Sequence, residues 1–185
     1  YPLRRQRQMC IRDSNSIVSG AFSITKTGSG VLALSGVNTF SGGINVNEGG
    51  LLVKTSANAF GTGTVNLGNT SGSSSAVLYL SQTLSFANPV TVRSGNSGTM
   101  TINNDGFSGA TLTGTVTLNK ALTLNNNDGS APYGSLGVSG KITGGSGLTI
   151  TASNAAGQII LSNSANDYTG ATAVNSGTLL SLIHI

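Results

Sequence analysis

The chain is short of the residues that most catalytic and metal sites need. Among its 185 residues there is no tryptophan, one cysteine and one histidine, and only 8% of the residues are charged. Cys10 and His184 lie near opposite ends, so residues 15–179 contain neither type. This stretch therefore offers no base for Ser–His–Asp or Cys–His chemistry and no thiolate or imidazole ligand for zinc. We expect its many serines to be surface and turn residues, with no catalytic, metal or cofactor site.

Long apolar runs and helical periodicity are also absent. The sequence has no run of 18 apolar residues, so it predicts no membrane-spanning helix and no direct membrane insertion. No window has apolar residues at the i, i+3, i+4, i+7 spacing of an amphipathic helix. The sequence therefore predicts an all-β protein.

Both termini have the character of translated adaptor DNA. Residues 4–14 read RRQRQMCIRDS, which a transposase-type sequencing adaptor would encode, and residues 180–185 read LSLIHI, which the reverse complement of that adaptor's end would encode. We therefore expect residues 1–14 to be a disordered non-native tail, residues 180–185 to be a second non-native tail, and residues 15–179 to be the protein segment. The apolar LSLIHI should extend an exposed strand edge and favour self-association.

Most of the net positive charge lies in the first of these tails. The formal net charge is +4, from nine Lys and Arg against five Asp and Glu. Residues 15–179 keep five basic and four acidic residues, a net charge of +1. A nearly neutral segment gives no electrostatic reason to expect a nucleic acid or an anionic membrane as partner.

The segment does have short runs of alternating apolar residues between clusters of Gly, Asn and Ser. Such period-2 runs predict strands joined by turns. The predicted strands cover residues 21–25, 31–34, 44–46, 51–54, 64–67, 76–80, 83–86, 90–93, 99–102, 111–113, 115–118, 121–124, 135–138, 141–143, 148–151, 158–161 and 172–174. These strands are shorter and closer together than those of a β-sandwich.

The spacing of the turns favours a solenoid. Two Asn-Asp-Gly turns, at residues 104–106 and 127–129, are 23 residues apart with three strand patterns between them. A β-helix coil needs about 20 or more residues for three short strands, and coils stack about 4.8 Å apart. The sequence therefore predicts a right-handed parallel β-helix of roughly seven coils, about 35 Å long. Its inward positions should include Leu32, Leu34, Val46, Val92, Leu118, Leu124, Val138 and Ile150.

One sequence unit occurs twice. The stretch GSGVLALSGVNTFSGGINVNEGGLL at residues 28–52 is repeated as NDYTGATAVNSGTLL at residues 166–180, with a constant offset of 128 residues. The matched pairs are Asn38 and Asn166, Phe40 and Tyr168, Gly42 and Gly170, Val46 and Val174, Gly49 and Gly177, and Leu51 and Leu179. Such self-similarity indicates an array of structural repeats.

These residues resemble the autotransporter-associated β-strand repeat of bacterial autotransporter passenger domains. The repeat reads G-x-G-x-L-x-L-x-G-x-N-T-[YF]-[ST]-G-G and then V-x-x-G-x-L. The first copy carries it at Gly28, Gly30, Leu32, Leu34, Gly36, Asn38, Thr39, Phe40, Ser41, Gly42, Gly43, Val46, Gly49 and Leu51. The second copy carries it at Asn166, Tyr168, Gly170, Val174, Gly177 and Leu179, with Asp167 and Ala171 in place of a Thr and a Gly. Residues 55–157 share only the general strand-and-turn style.

The resemblance implies a mechanical function without catalysis. It implies an internal piece of a secreted passenger at the bacterial cell surface, a rigid stalk that holds a distal region away from the cell. It also implies an outer-membrane translocator barrel in the parent protein, and weak, repetitive contacts with host or matrix glycans or proteins. The lack of cysteine in residues 15–179 fits this role because a cross-linked loop would hinder threading through a pore.

A fragment of a β-helical polysaccharide lyase or glycoside hydrolase is the alternative. Glycoside hydrolysis needs paired carboxylates, and Asp105 and Asp128 would stack one coil apart, with Arg93 one coil before them. The Asn-Asp-Gly turns match neither the EF-hand nor the GGxGxD calcium pattern. Phe40 and Tyr168 are candidates for stacking on sugars, but packing against the edge of the coil is the favoured interpretation.

Overall fold

Every regular element that the structure describes is a β-strand. The computed structural model describes residues 12–14, 17–81, 83–105, 109–127, 134–153 and 157–182. The strands are short, and along most of them buried residues alternate with partly exposed ones. None of the described residues forms a helix with the length and apolar character needed to cross a bilayer. The prediction of an all-β protein is confirmed.

The strands form three sheets. Sheet 1 contains β1 (Arg12–Ser14), β3 (Val31–Leu34), β5 (Gly49–Val53), β7 (Ala76–Leu80), β10 (Met100–Asn104), β13 (Leu122–Asn126), β16 (Leu148–Ala152) and β18 (Thr172–Val174). Sheet 2 contains β2 (Ile24–Lys26), β4 (Ile44–Val46), β6 (Val65–Leu67), β9 (Val90–Val92), β12 (Val116–Leu118) and β15 (Ile142–Gly144). Sheet 3 contains β8 (Ser85–Phe86), β11 (Ala110–Leu112), β14 (Ser135–Val138), β17 (Gln158–Leu161) and β19 (Thr178–Ser181).

The chain coils from sheet to sheet, and each coil stacks on the one before. All strand pairs in the described residues are parallel. In sheet 1, Leu51 pairs with Leu32 before it and Leu78 after it, and Leu78 pairs with Ile102. Sheet 1 has eight strands and sheet 2 has six, so the described chain makes about six to seven turns, close to the number predicted. The parallel β-solenoid is confirmed.

The interior of the solenoid is one continuous apolar core. Seven of the eight residues predicted to point inward are at most 3% exposed, and Leu32 is partly buried against the same core. Three buried phenylalanines belong to this core: the rings of Phe60 and Phe86 have centroids 5.5 Å apart, and the ring of Phe40 is stacked by the more exposed Phe22 with centroids 6.1 Å apart. Burial of these apolar side chains is the main favourable contribution to the free energy of folding.

Most strands have the predicted positions, with differences at their ends. The predicted bounds at 31–34, 44–46, 76–80, 135–138, 158–161 and 172–174 are those observed. The strand predicted at 21–25 begins instead at Ile24, because Phe22 turns to stack on Phe40. β10 and β13 continue two residues beyond their predicted ends, to Asn104 and Asn126, because the amides of these residues bond to each other across the coils.

Parts of both predicted tails belong to the solenoid. Arg12–Ser14 forms β1 and pairs with residues 32–34, so the expectation that residues 1–14 are disordered is wrong for these three residues. β19 passes residue 180 without a break and ends at Ser181, and the N–H of Leu182 donates to the Leu161 carbonyl over 3.0 Å. The terminal strands of a sheet present unpaired N–H and C=O groups, and an extended neighbouring segment pairs with them. Residues 1–11 and 183–185 lie outside the described residues.

We predict that Leu118→Asp strongly destabilises the solenoid. Leu118 is fully buried between Val92 and Gly144 in sheet 2. A carboxylate there has no partner, which costs about 3–5 kcal/mol of unfolding free energy. Thr117→Asp is the matched control because Thr117 is the neighbouring, outward-facing residue of the same strand. Urea unfolding followed by circular dichroism measures both variants; equal midpoints for the two would contradict an inward-facing Leu118.

Candidate functional site

A single asparagine of the repeat joins three successive coils. The N–H of Val18, in the coil before, donates to Asn38 Oδ1 over 2.8 Å. Asn38 Nδ2 donates to the carbonyl of Ala59, in the coil after, over 2.7 Å. Asn38 is 2% exposed, so both bonds are shielded from water. Asn suits this position because its amide accepts a hydrogen bond at Oδ1 and donates one from Nδ2, towards opposite coils.

The second copy of the repeat preserves half of this arrangement. Asn166 Oδ1 accepts from the N–H of Ile142, in the coil before, over 2.7 Å. Asn166 Nδ2 is buried, and in the part of the chain that the structure describes it has no hydrogen-bond partner. The two copies therefore share the bond to the preceding coil.

Two glycines of the repeat permit close approach between coils. Gly43 and Gly49 have φ angles of 78° and 72°, which non-glycine residues rarely adopt. A Cβ atom on Gly43 would lie 2.4 Å from the Thr64 carbonyl oxygen, and one on Gly49 would lie 2.4 Å from that of Gly30. Side chains at these positions would force the backbones of adjacent coils apart.

Lys26 is a charged residue that the core largely covers. It is 9% exposed, and its ammonium donates to the carbonyls of Thr27, Gly28 and Glu48 over 3.1, 2.6 and 3.0 Å. Burial lowers the pKa of Lys26, an effect that the nearby negative charge of Glu48 partly offsets. Because the three N–H groups of the ammonium all donate to main-chain carbonyls, Lys26 links the backbone of adjacent coils.

Asp167, which departs from the repeat pattern, forms a surface ion pair. Its carboxylate lies 2.6 Å from Lys141 Nζ, and both side chains are exposed. The hydrogen bonds from Lys141 and then Thr143 lower the pKa of Asp167. Exposed pairs of this kind contribute little to stability, so we assign Asp167 no functional role.

The outward faces of the sheets carry ladders of polar side chains. In sheet 2, Asn66 Nδ2 donates to Asn45 Oδ1 over 3.0 Å, and Arg93 donates to the same oxygen. In sheet 1, Asn125 Nδ2 donates to Asn103 Oδ1 over 2.7 Å, and the Thr151 hydroxyl donates to Asn125 Oδ1 over 2.9 Å. Side-chain bonding between stacked positions therefore adds to the main-chain bonds between coils.

The repeat aromatics pack against the core. Phe40 is fully buried and Tyr168 is partly buried, with its hydroxyl 2.7 Å from Thr172 Oγ1. Tyr79 was not among the predicted site residues. In contrast to the repeat aromatics, it faces outward from β7. The signal for it was present: the run AVLYL at residues 76–80 alternates, so Tyr79 falls between the buried Leu78 and Leu80.

Tyr79 lies at the centre of a shallow groove on sheet 1. A Cβ atom on Gly50 would lie 2.8 Å from Tyr79 Cε2, so the ring rests on the bare backbone of Gly50. On either side of the ring are adjoining depressions of about 320 and 480 Å³. Their linings share Val31 and Tyr79 and add apolar residues, two carboxylates and several polar side chains: Ser29, Glu48, Leu52, Ser75, Val77, Asn103, Asp105, Asn125 and Asn127.

Arg93 and Asp105, the two described residues among those considered for polysaccharide cleavage, are not brought together. Asp105 lies opposite Asn127, whose Nδ2 donates to its Oδ1 over 3.4 Å, because β10 and β13 stack Asn104 on Asn126. Arg93 follows a strand of sheet 2 and bonds to Asn45, whereas Asp105 follows a strand of sheet 1. Asp128 lies outside the described residues. Over the described ranges, no group of three or more His, Cys, Asp or Glu is placed to hold a metal ion.

Comparison with known proteins identifies the repeat. Residues 24–53 and 156–180 match the family model of the passenger-associated-transport-repeat. The chain is also 34% identical over 167 residues to the "Adhesin BmaC autotransporter" of Brucella suis biovar 1 (strain 1330). That alignment covers 90% of this chain and 4% of the relative, so the chain spans a small part of the relative's length. No solved structure matches.

We predict that Asn38→Leu, which keeps the size of the side chain, destabilises the solenoid. It removes the partners of the Val18 N–H and the Ala59 carbonyl, and each buried group left unpaired costs about 1–3 kcal/mol. Asn119→Leu is the matched control, because Asn119 is exposed and its side chain makes no hydrogen bond in the described residues. Urea unfolding should show a lower midpoint for Asn38→Leu alone. If the two variants unfold together, Asn38 does not join the coils.

Proposed function

Because the chain carries the passenger repeats of autotransporters, we propose that it is a rigid, non-catalytic stalk segment with an adhesive outer surface. The observation that supports this most directly is the unbroken stack of eight parallel strands in sheet 1. In such a stack an axial load passes through each interface between coils, where several parallel hydrogen bonds bear it together. A distal part of the parent protein would thereby be held at a fixed distance from the cell.

The outer surface supports the adhesive part of the proposal. Polar ladders such as Asn103–Asn125–Thr151 repeat the same chemistry coil after coil. A partner with a repeating structure gains many weak contacts from such a surface, and avidity then exceeds the affinity of any one contact. The relative from Brucella suis is itself called an adhesin. Host or matrix glycans and glycoproteins are the partners we propose.

The setting we propose is the outside of a bacterial cell. A passenger repeat is exported through the translocator barrel of the parent protein and acts at the cell surface. Residues 15–179 contain no cysteine, so this stretch cannot form a disulfide that would obstruct an unfolded chain in a pore.

We predict no hydrolase or lyase activity. In the described residues the side-chain partner of Asp105 is the amide of Asn127, whereas glycoside hydrolysis uses paired carboxylates. Incubation with polygalacturonate and with neutral β-glucans should release no more reducing or unsaturated ends than a blank. Cleavage that Asp128→Asn abolishes would establish the lyase or hydrolase alternative instead.

Adhesion is tested with beads that carry the chain. Under flow, beads coated with it should be retained on a layer of mixed extracellular-matrix glycoproteins severalfold better than albumin-coated beads. Free chain in solution should release them, because it competes for the same weak contacts without their multivalency. Retention equal to that of albumin-coated beads would refute an adhesive surface and leave only the stalk.

A further inference from the structure

The groove centred on Tyr79 is a feature that neither the repeat nor the core requires. Its lining residues Val31, Leu52, Tyr79, Asn103 and Asn125 come from five successive strands of sheet 1. Strands stack about 4.8 Å apart, so the groove runs about 19 Å along the solenoid. This shape suits an extended, chain-like ligand better than a compact one.

The floor of the groove is apolar and flat. The Tyr79 ring lies down on Gly50, where there is no side chain to lift it, and Val31 and Val77 flank that glycine in the neighbouring strands. An aromatic ring held in this way offers its free face to an apolar surface, and tyrosine also keeps a polar tip. The Tyr79 hydroxyl makes no hydrogen bond within the described residues.

Polar groups with unused bonding capacity border this floor. The Glu48 carboxylate accepts no hydrogen bond in the described part of the chain, and Asp105 accepts only the long bond from Asn127. Amide side chains of Asn103 and Asn125 add donors and acceptors at the same edge. The border therefore has acceptors in excess and suits a ligand rich in hydroxyl groups.

The charge of the groove narrows the ligand class. The described residues that line it include two carboxylates and no Lys or Arg. Lys26, which lies beneath Gly49, directs its ammonium inward at three carbonyls. Lys26 partly offsets the charge of Glu48, but a polyanion such as a sulfated or uronic-acid polymer would still meet two carboxylates and no Lys or Arg in the described lining, and like charges brought together cost binding energy.

We propose that this groove binds a neutral oligosaccharide, with one sugar ring stacked on Tyr79 and neighbouring sugar units donating hydroxyls to Glu48 on one side of that ring and to Asp105 on the other. Sugar rings have an apolar face of C–H groups and an edge of hydroxyls, which matches the flat floor and the acceptor-rich border. The proposal gives a ligand class to the adhesive surface proposed above, and it rests on that function for its biological role.

The test is isothermal titration of the chain with cellohexaose, mannohexaose and chitohexaose. Heparin, polygalacturonate and oligolysine are the charged comparison ligands. At least one neutral hexamer should bind, and Tyr79→Ala should weaken that binding about tenfold or more, which corresponds to about 1.4 kcal/mol. Tyr79→Phe should keep most of the affinity because it keeps the ring.

Gly50→Ala tests the position of the ring without removing a contact group. Its backbone is not in the left-handed region, and the added methyl would displace Tyr79 from the sheet. We expect it to weaken binding as Tyr79→Ala does. Thr117→Ala, on the outward face of sheet 2, is the matched control and should bind normally. Unchanged circular dichroism and urea midpoints would show that each variant is folded.

Several results would overturn the assignment. These are no binding of any neutral hexamer, binding that Tyr79→Ala leaves unchanged, or preferential binding of heparin or polygalacturonate. Binding of oligolysine that Glu48→Gln and Asp105→Asn abolish would show a site for basic peptides. The bead experiment separates the two proposals: full retention of beads with Tyr79→Ala would leave adhesion intact and refute this groove as the site through which the chain adheres. Sugar binding without bead retention would refute adhesion alone.

Discussion

The structure depends on parallel pairing between consecutive coils. Each strand of sheet 1 from β3 to β16 has a parallel partner on both sides, so the main-chain groups of one coil are satisfied by the next. The pairing also places like residues in columns, as where Val90, Val116 and Ile142 stack in the core of sheet 2. A shift of one strand's register by one residue would move its inward-facing side chains to the outer face of the sheet. The apolar alternation and the hydrogen bonding therefore favour the same register.

The repeat asparagine adds a side-chain connection to this pairing. Main-chain bonds between coils continue where the chain passes between sheets, as from the Thr39 N–H to the Val18 carbonyl over 2.9 Å, and Asn38 adds side-chain bonds to both neighbouring coils there. At another turn, the Lys26 ammonium also connects neighbouring coils, through hydrogen bonds to three carbonyls. Tyr79, in contrast, points outward from β7, between the buried Leu78 and Leu80, and takes no part in these connections. A binding surface on this scaffold therefore depends on outward residues alone.

Much of the fold could be predicted from the sequence because apolar alternation survives in every coil. Leu118 and Ile150 were placed inward correctly, and the duplicated unit identified the array. The buried Asn104 and Asn126 were missed because asparagine signals a turn, and only the stacking of their two strands makes a buried amide pair possible. The Tyr79 groove was missed for a related reason: the contact with Gly50 depends on the register in which β5 pairs with β7.

Disulfide trapping tests the parallel register most directly. In a Cys10→Ser background, Thr91→Cys and Thr117→Cys place two thiols on outward positions that pair between β9 and β12. Parallel neighbours about 4.8 Å apart are within the range for a disulfide, whereas Thr91 and Thr143, two strands apart, are about 9.6 Å apart and beyond it. Mild oxidation should therefore cross-link the pair at residues 91 and 117 within one chain and leave the pair at 91 and 143 as free thiols. Cross-linking of the second pair and not the first would contradict the solenoid.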